Sequence, residues 1–133
     1  MEMWLKALLA ASLLATVTPA AAAPKAETYY SKTYSACMDA AGGSTYPTRD
    51  CISAEHDDWD KALNQVYQAV MASRSAAEKI QLRNDERAWL KRSTAKCDHA
   101  GDDEAGGSLQ SVEIDQCYLD QTILRTVHLR GLH

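Results

Sequence analysis

Apolar residues recur along this chain at the three-to-four-residue spacing of helices, and no stretch alternates as a strand would. Tyr30, Tyr34, Cys37, Met38 and Ala41 predict a first helix over 28–41. The run Gly42-Gly43-Ser44-Thr45-Tyr46-Pro47 breaks it, since glycine and proline both disfavour a continuing helix. Thr48 can cap a second helix with Cys51 in its first turn. In that helix Ile52, His56, Trp59, Leu63, Val66, Tyr67 and Val70 form one stripe, Asp57, Lys61 and Gln68 lie opposite, and the pattern runs to about Ser73. Ser75 and Glu78 have capping-box spacing and open a third helix carrying Leu82, Trp89, Leu90 and Cys97 on one side. Residues 98–108, DHAGDDEAGGS, read as a loop. A fourth helix over 109–130 turns Ile114, Cys117, Tyr118 and Leu124 inward, with Leu132 just beyond it and Gly131 at the C-terminal cap. The expected fold is all-α: a small bundle of about four helices, with the second, third and fourth at its centre.

The first residues do not fit this bundle. Residues 5–15 read LKALLAASLLA, too short for a membrane span, which needs roughly 20 apolar residues. Small residues follow at Ala20-Ala21-Ala22-Ala23. This is the pattern of a secretory signal peptide, expected over 1–22 with cleavage after Ala22, leaving a helical domain over 23–133. No cysteine follows the cleavage point closely enough to carry a lipid anchor, so no membrane insertion is expected once the signal is removed. Cleavage removes Glu2 and Lys6 together and leaves the net charge at −4. That value gives no reason to expect nucleic acid or an anionic membrane as partner, and it is compatible with a basic protein.

Export changes how the cysteines are read. Cys37, Cys51, Cys97 and Cys117 are even in number and all follow the signal, which in a periplasmic or secreted chain indicates two disulfides. No pair has the close spacing of a structural zinc site. Of the three possible connectivities, Cys37–Cys51 and Cys97–Cys117 are the local ones, each bracketing a turn-rich stretch, and these are expected.

Few residues suggest chemistry. Glu86, Arg125 and His56 sit inside otherwise apolar stripes. Buried charges are costly unless paired, so Glu86 and Arg125 are expected to face each other as a structural ion pair. The catalytic alternative would use Glu86 oriented by Arg125, with His56 or Glu55 as a second acid or base. In the run Glu55-His56-Asp57-Asp58-Trp59-Asp60 the expected pair that could share an ion is His56 and Asp60, four apart, and two ligands are too few for a metal site. His99 with Asp98, Asp102, Asp103 and Glu104 lacks the ordered ligand spacing of a calcium loop. No serine elbow, zinc-protease helix or phosphate loop is present. No cofactor, no metal and no catalytic residue are expected, and the chain reads as a binding protein rather than an enzyme.

Taken in order, Cys51, Glu55, Trp59-Asp60, Leu63-Asn64 and Tyr67 form C-x3-E-x3-W-D-x2-L-N-x2-Y. Leu82, Arg87-Ala88-Trp89-Leu90 and Cys97 follow, then Gly106-Gly107-Ser108, Cys117, Thr122, Arg125 and Leu129. This series resembles the LprI-like lysozyme inhibitor family of small exported bacterial domains, from Cys37 to Leu129. Glu86 stands where that family usually has glutamine. The resemblance implies a protein that binds and inhibits lysozyme; the alternative is a generic envelope interaction module. Lysozymes that attack bacteria are commonly basic, so the acidic loop residues Asp102, Asp103 and Glu104 are the expected contact.

Overall fold

A computed structural model describes residues 20–132. The expected signal peptide falls almost wholly on residues outside that range. A 3-10 turn at Ala26–Tyr29 leads into α1 (Lys32–Ala41), α2 (Thr45–Ala72), α3 (Ala76–Cys97) and α4 (Ser108–Arg130), with a second 3-10 turn at Asp102–Glu104. The described residues contain no strand. The all-α, four-helix expectation holds, and both disulfides are the local ones, Cys37–Cys51 and Cys97–Cys117.

Two helix starts differ from the sequence reading. α1 begins later, because Ser31 adopts an extended backbone and its hydroxyl accepts from the Tyr34 amide at 2.9 Å. The preceding residues turn as a 3-10 segment instead. α2 begins earlier, at Thr45, and takes Pro47 into its first turn. Proline is tolerated there because the first-turn amides have no intrahelical partner to lose. Between the two helices, Gly42 ends α1 in the left-handed conformation at φ 55°, with its amide donating to the Met38 carbonyl. The Ser75–Glu78 capping box forms as expected.

Polar contacts fix the directions of the helices. Arg49 meets Asp115 and His56 meets Thr122, both 66 residues apart. A constant offset means that α2 and α4 run parallel and in register. Tyr30 reaches Asp120 while Tyr34 reaches Gln116, so the N-terminal segment runs antiparallel to α4. Glu86–Arg125 and Cys97–Cys117 set α3 antiparallel to α4 in the same way. α3 is therefore the return limb that brings α4 back alongside α2.

The core lies mainly between α2 and α4. One end packs Tyr34, Cys51, Ile52, Leu119 and Ile123, and the other packs Leu63, Val66, Val70, Leu82 and Leu129. Thr122 and Thr126 are buried in α4 and satisfy their hydroxyls on the carbonyls of Tyr118 and Thr122, four residues back. α3 contributes only Leu82, Ser93 and Cys97 as buried residues. Two expected core residues lie outside: Leu90 is 52% exposed and Leu132 is 39% exposed. Leu90 sits where α3 diverges from α2, and Leu132 lies past the helix end at Gly131, which keeps a right-handed backbone.

Candidate functional site

Three polar assemblies lie around this core. The first is centred on Arg125, whose side chain is only 5% exposed. Its Nε donates to Glu86 Oε2 at 2.8 Å and its Nη2 donates to Asp85 Oδ2 at 2.8 Å, while the guanidinium lies 5.6 Å from the Trp89 ring centroid. Sequence reasoning named Glu86 and missed Asp85 and Trp89. Both follow from helix geometry: residues three or four apart share a face, so Trp89 lies beside Asp85 and Glu86. The Arg125 hydrogen bond holds the Asp85 carboxyl below the usual carboxylate range, against a smaller opposing effect of burial.

The second assembly is built on Glu55, buried at 6% exposure. It accepts from the Ser31 amide at 2.8 Å, the Ser31 hydroxyl at 2.6 Å and Trp59 Nε1 at 3.1 Å. Glu55 thus ties the N-terminal segment to α2 and uses its lone pairs on fixed donors. Glu55 lines a different hollow from Glu86, whereas His56, the other partner of the catalytic alternative, lines the same one. A glutamine at 55 would turn an amide NH₂ towards one of these donors. Glu55→Gln is expected to cost about 1–3 kcal/mol in a urea melt, the penalty of an unsatisfied buried polar group. An unchanged midpoint would show that Glu55 does not hold the segment.

The third is a cleft of about 430 Å³ between α2 and α3, floored by α4. Asp60, Asn64 and Tyr67 line its α2 wall, Trp89, Leu90 and Ser93 its α3 wall, and Tyr118 and Thr122 its floor. Several of these belong to the series that carries the family resemblance. Thr122 donates to the Tyr118 carbonyl at 2.9 Å, which leaves its oxygen to accept from His56 Nε2 at 3.0 Å. The Ser93 hydroxyl is buried at the cleft wall without a protein partner among the described residues. A small side chain at 93 leaves the cleft open and gives it one unused hydrogen-bonding group.

The expected contact loop sits at the end of the bundle closed by Cys97–Cys117. Asp102, Asp103 and Glu104 form a 3-10 turn and all three are exposed. Gly101 enters it at φ 75°, where an added Cβ would lie 3.0 Å from Glu113 Cβ, so only glycine lets the turn sit this close to α4. His99 Nδ1 lies 3.0 Å from Asp102, and the Gly106 amide donates to Gln110 at 3.2 Å. The Tyr118 hydroxyl donates to Asp98 at 2.7 Å, which pushes its pKa up. From Cys97 to Leu124 there is no lysine or arginine, while Asp98, Asp102, Asp103, Glu104, Glu113, Asp115 and Asp120 all fall there. The stapled turn is thus the tip of an anionic end.

Among the described residues no group of three or more His, Cys, Asp or Glu side chains is placed to hold a metal ion. No described helix is long and apolar enough to cross a membrane. No curated protein and no solved structure matches the chain. The model of the family described as lysozyme inhibitor LprI matches residues 37–129, which takes in both disulfides, the Arg125 assembly, the cleft and the acidic turn. With most of the chain covered, this protein belongs to the LprI lysozyme inhibitor family.

Proposed function

We propose that this chain is exported, loses residues 1–22, and binds and inhibits a basic lysozyme without itself doing chemistry. The family match over 37–129 carries this reading. The two disulfides support it, because such bonds persist in oxidising compartments outside the cytoplasm. The anionic end supports it as well: an acidic patch on a stapled turn steers a cationic partner and presents side chains whose backbone is already fixed.

The test is lysis of a susceptible bacterial suspension by several lysozyme types, with and without excess purified protein. Protection is expected, together with an association rate that falls as salt rises, since exposed charges are screened beyond about 8 Å at physiological ionic strength. Changing Asp102→Asn, Asp103→Asn and Glu104→Gln together should slow association about tenfold. The same changes should leave stability within about 0.5 kcal/mol, because all three side chains are exposed. No protection and no binding with any lysozyme type would favour the envelope interaction module instead. Full protection by the triple variant at an unchanged rate would keep the inhibitor and discard the turn as its contact.

A further inference from the structure

We propose that the outer face of α3 docks this protein peripherally onto an anionic phospholipid surface. The net charge of −4 conceals a strong asymmetry. α3 carries Lys79, Arg83, Arg87, Lys91, Arg92 and Lys96. Its own carboxylates are otherwise engaged: Asp85 and Glu86 on Arg125, Glu78 on the Ser75 cap. Among the described residues none of those six cations takes part in an ion pair.

Helical geometry gathers three of the six on one side, while Lys79, Arg92 and Lys96 fall on others. At about 100° per residue, Arg83, Arg87 and Lys91 share one flank of the helix, turned away from Leu82, Ser93 and Cys97 progressively from Arg83 to Lys91, and all three are exposed. Ile80, at 55% exposure, lies among them, and Leu90, at 52%, lies at their edge on the lip of the cleft. Cations beside scattered apolar side chains suit a headgroup layer, where phosphates meet the charges and the apolar groups leave water.

Two observations favour lipid over nucleic acid as the polyanion. The disulfides place the folded chain in an oxidising compartment, bounded by membrane. The exposed Ile80 and Leu90 give nothing to a phosphodiester backbone but are useful at a bilayer surface. The docking stands independently of lysozyme inhibition, since neither its residues nor its test involves lysozyme.

The experiment is co-sedimentation of the disulfide-bonded protein with vesicles of phosphatidylglycerol and phosphatidylcholine, and with vesicles of phosphatidylcholine alone. Binding is expected to the first and not the second, and is expected to fall as salt rises. Changing Arg83→Gln, Arg87→Gln and Lys91→Gln together should weaken it on the order of a hundredfold, about fivefold for each cation. A variant with Arg83→Lys and Arg87→Lys should keep it, and circular dichroism checks that both variants stay helical. Neutralising Asp102, Asp103 and Glu104 should not weaken it. Equal binding to both vesicle types, no binding to the anionic ones, or undiminished binding by the glutamine variant would overturn the proposal. Tighter binding to duplex DNA at the same phosphate concentration would overturn the lipid assignment.

Discussion

Replacing Arg125 by alanine should destabilise the protein by about 3–5 kcal/mol, because Glu86 and Asp85 then lose their common cation beside the core. For a domain of this size that lowers the melting temperature by at least roughly 12 °C. Arg125→Lys should recover little, since an ammonium cannot fork to two carboxylates and cover the Trp89 ring as the guanidinium does. Glu86→Gln should be much milder: the amide oxygen still accepts from Arg125, and Asp85 keeps the charge balanced. Acid titration gives a second readout. Asp85 has a depressed pKa in the folded state, so its contribution is present above the unfolded value and is lost as pH falls through the folded one. The parent should therefore lose stability more steeply in acid than Arg125→Ala does. Thermal melts of these variants near the parent value at neutral pH would remove Arg125 from the forces that hold α3 to α4.

Opening either disulfide should cost about 3 kcal/mol in the chain-entropy model, given separations of 14 and 20 residues. The two losses should nearly add, because the bridges join different helix pairs. Their local consequences differ. Cys37→Ser with Cys51→Ser should loosen α1, while Glu55 still holds Ser31. Cys97→Ser with Cys117→Ser removes a fully buried sulfur and unpins the acidic turn, so it should also slow association with a cationic partner. Urea melts of the two double variants and of the reduced parent check this. A reduced protein that melts within about 1 kcal/mol of the oxidised one would contradict it.

The sequence made the helices and the disulfide pairing legible because both are local. Periodicity marks a helix within a few turns, and the two cysteine pairs bracket their own loops. The limits of α1 and α2 were not legible, because Ser31 is fixed by Glu55, a residue 24 positions away. Leu90 looked like core by spacing; it opens on a cleft because α3 touches α4 and diverges from α2. Glu86 and Arg125 stood out as polar residues in apolar stripes. Asp85 did not, since a carboxylate at the edge of a polar face looks like any solvated one. The basic face of α3 was hidden for a different reason: a net charge averages over the chain, and acidic and basic side chains here sit on different faces. The cleft depends on the relative placement of three helices and on the small residue at 93, which no single stretch of sequence reports.

The parallel, in-register pairing of α2 and α4 also governs the order in which this molecule can fold. Its central contacts span 66 residues, so the closing of a long loop must come before they are gained. The helices between them form sooner, since their bonds are local, but α3 buries too little to hold a compact state by itself. Until the last helix is available, the apolar stripe of α2 lacks the main surface that covers it. A chain made N-terminus first therefore completes its core only when its last helix has been added, so a truncation anywhere before α4 should abolish the cooperative melt and not merely lower it.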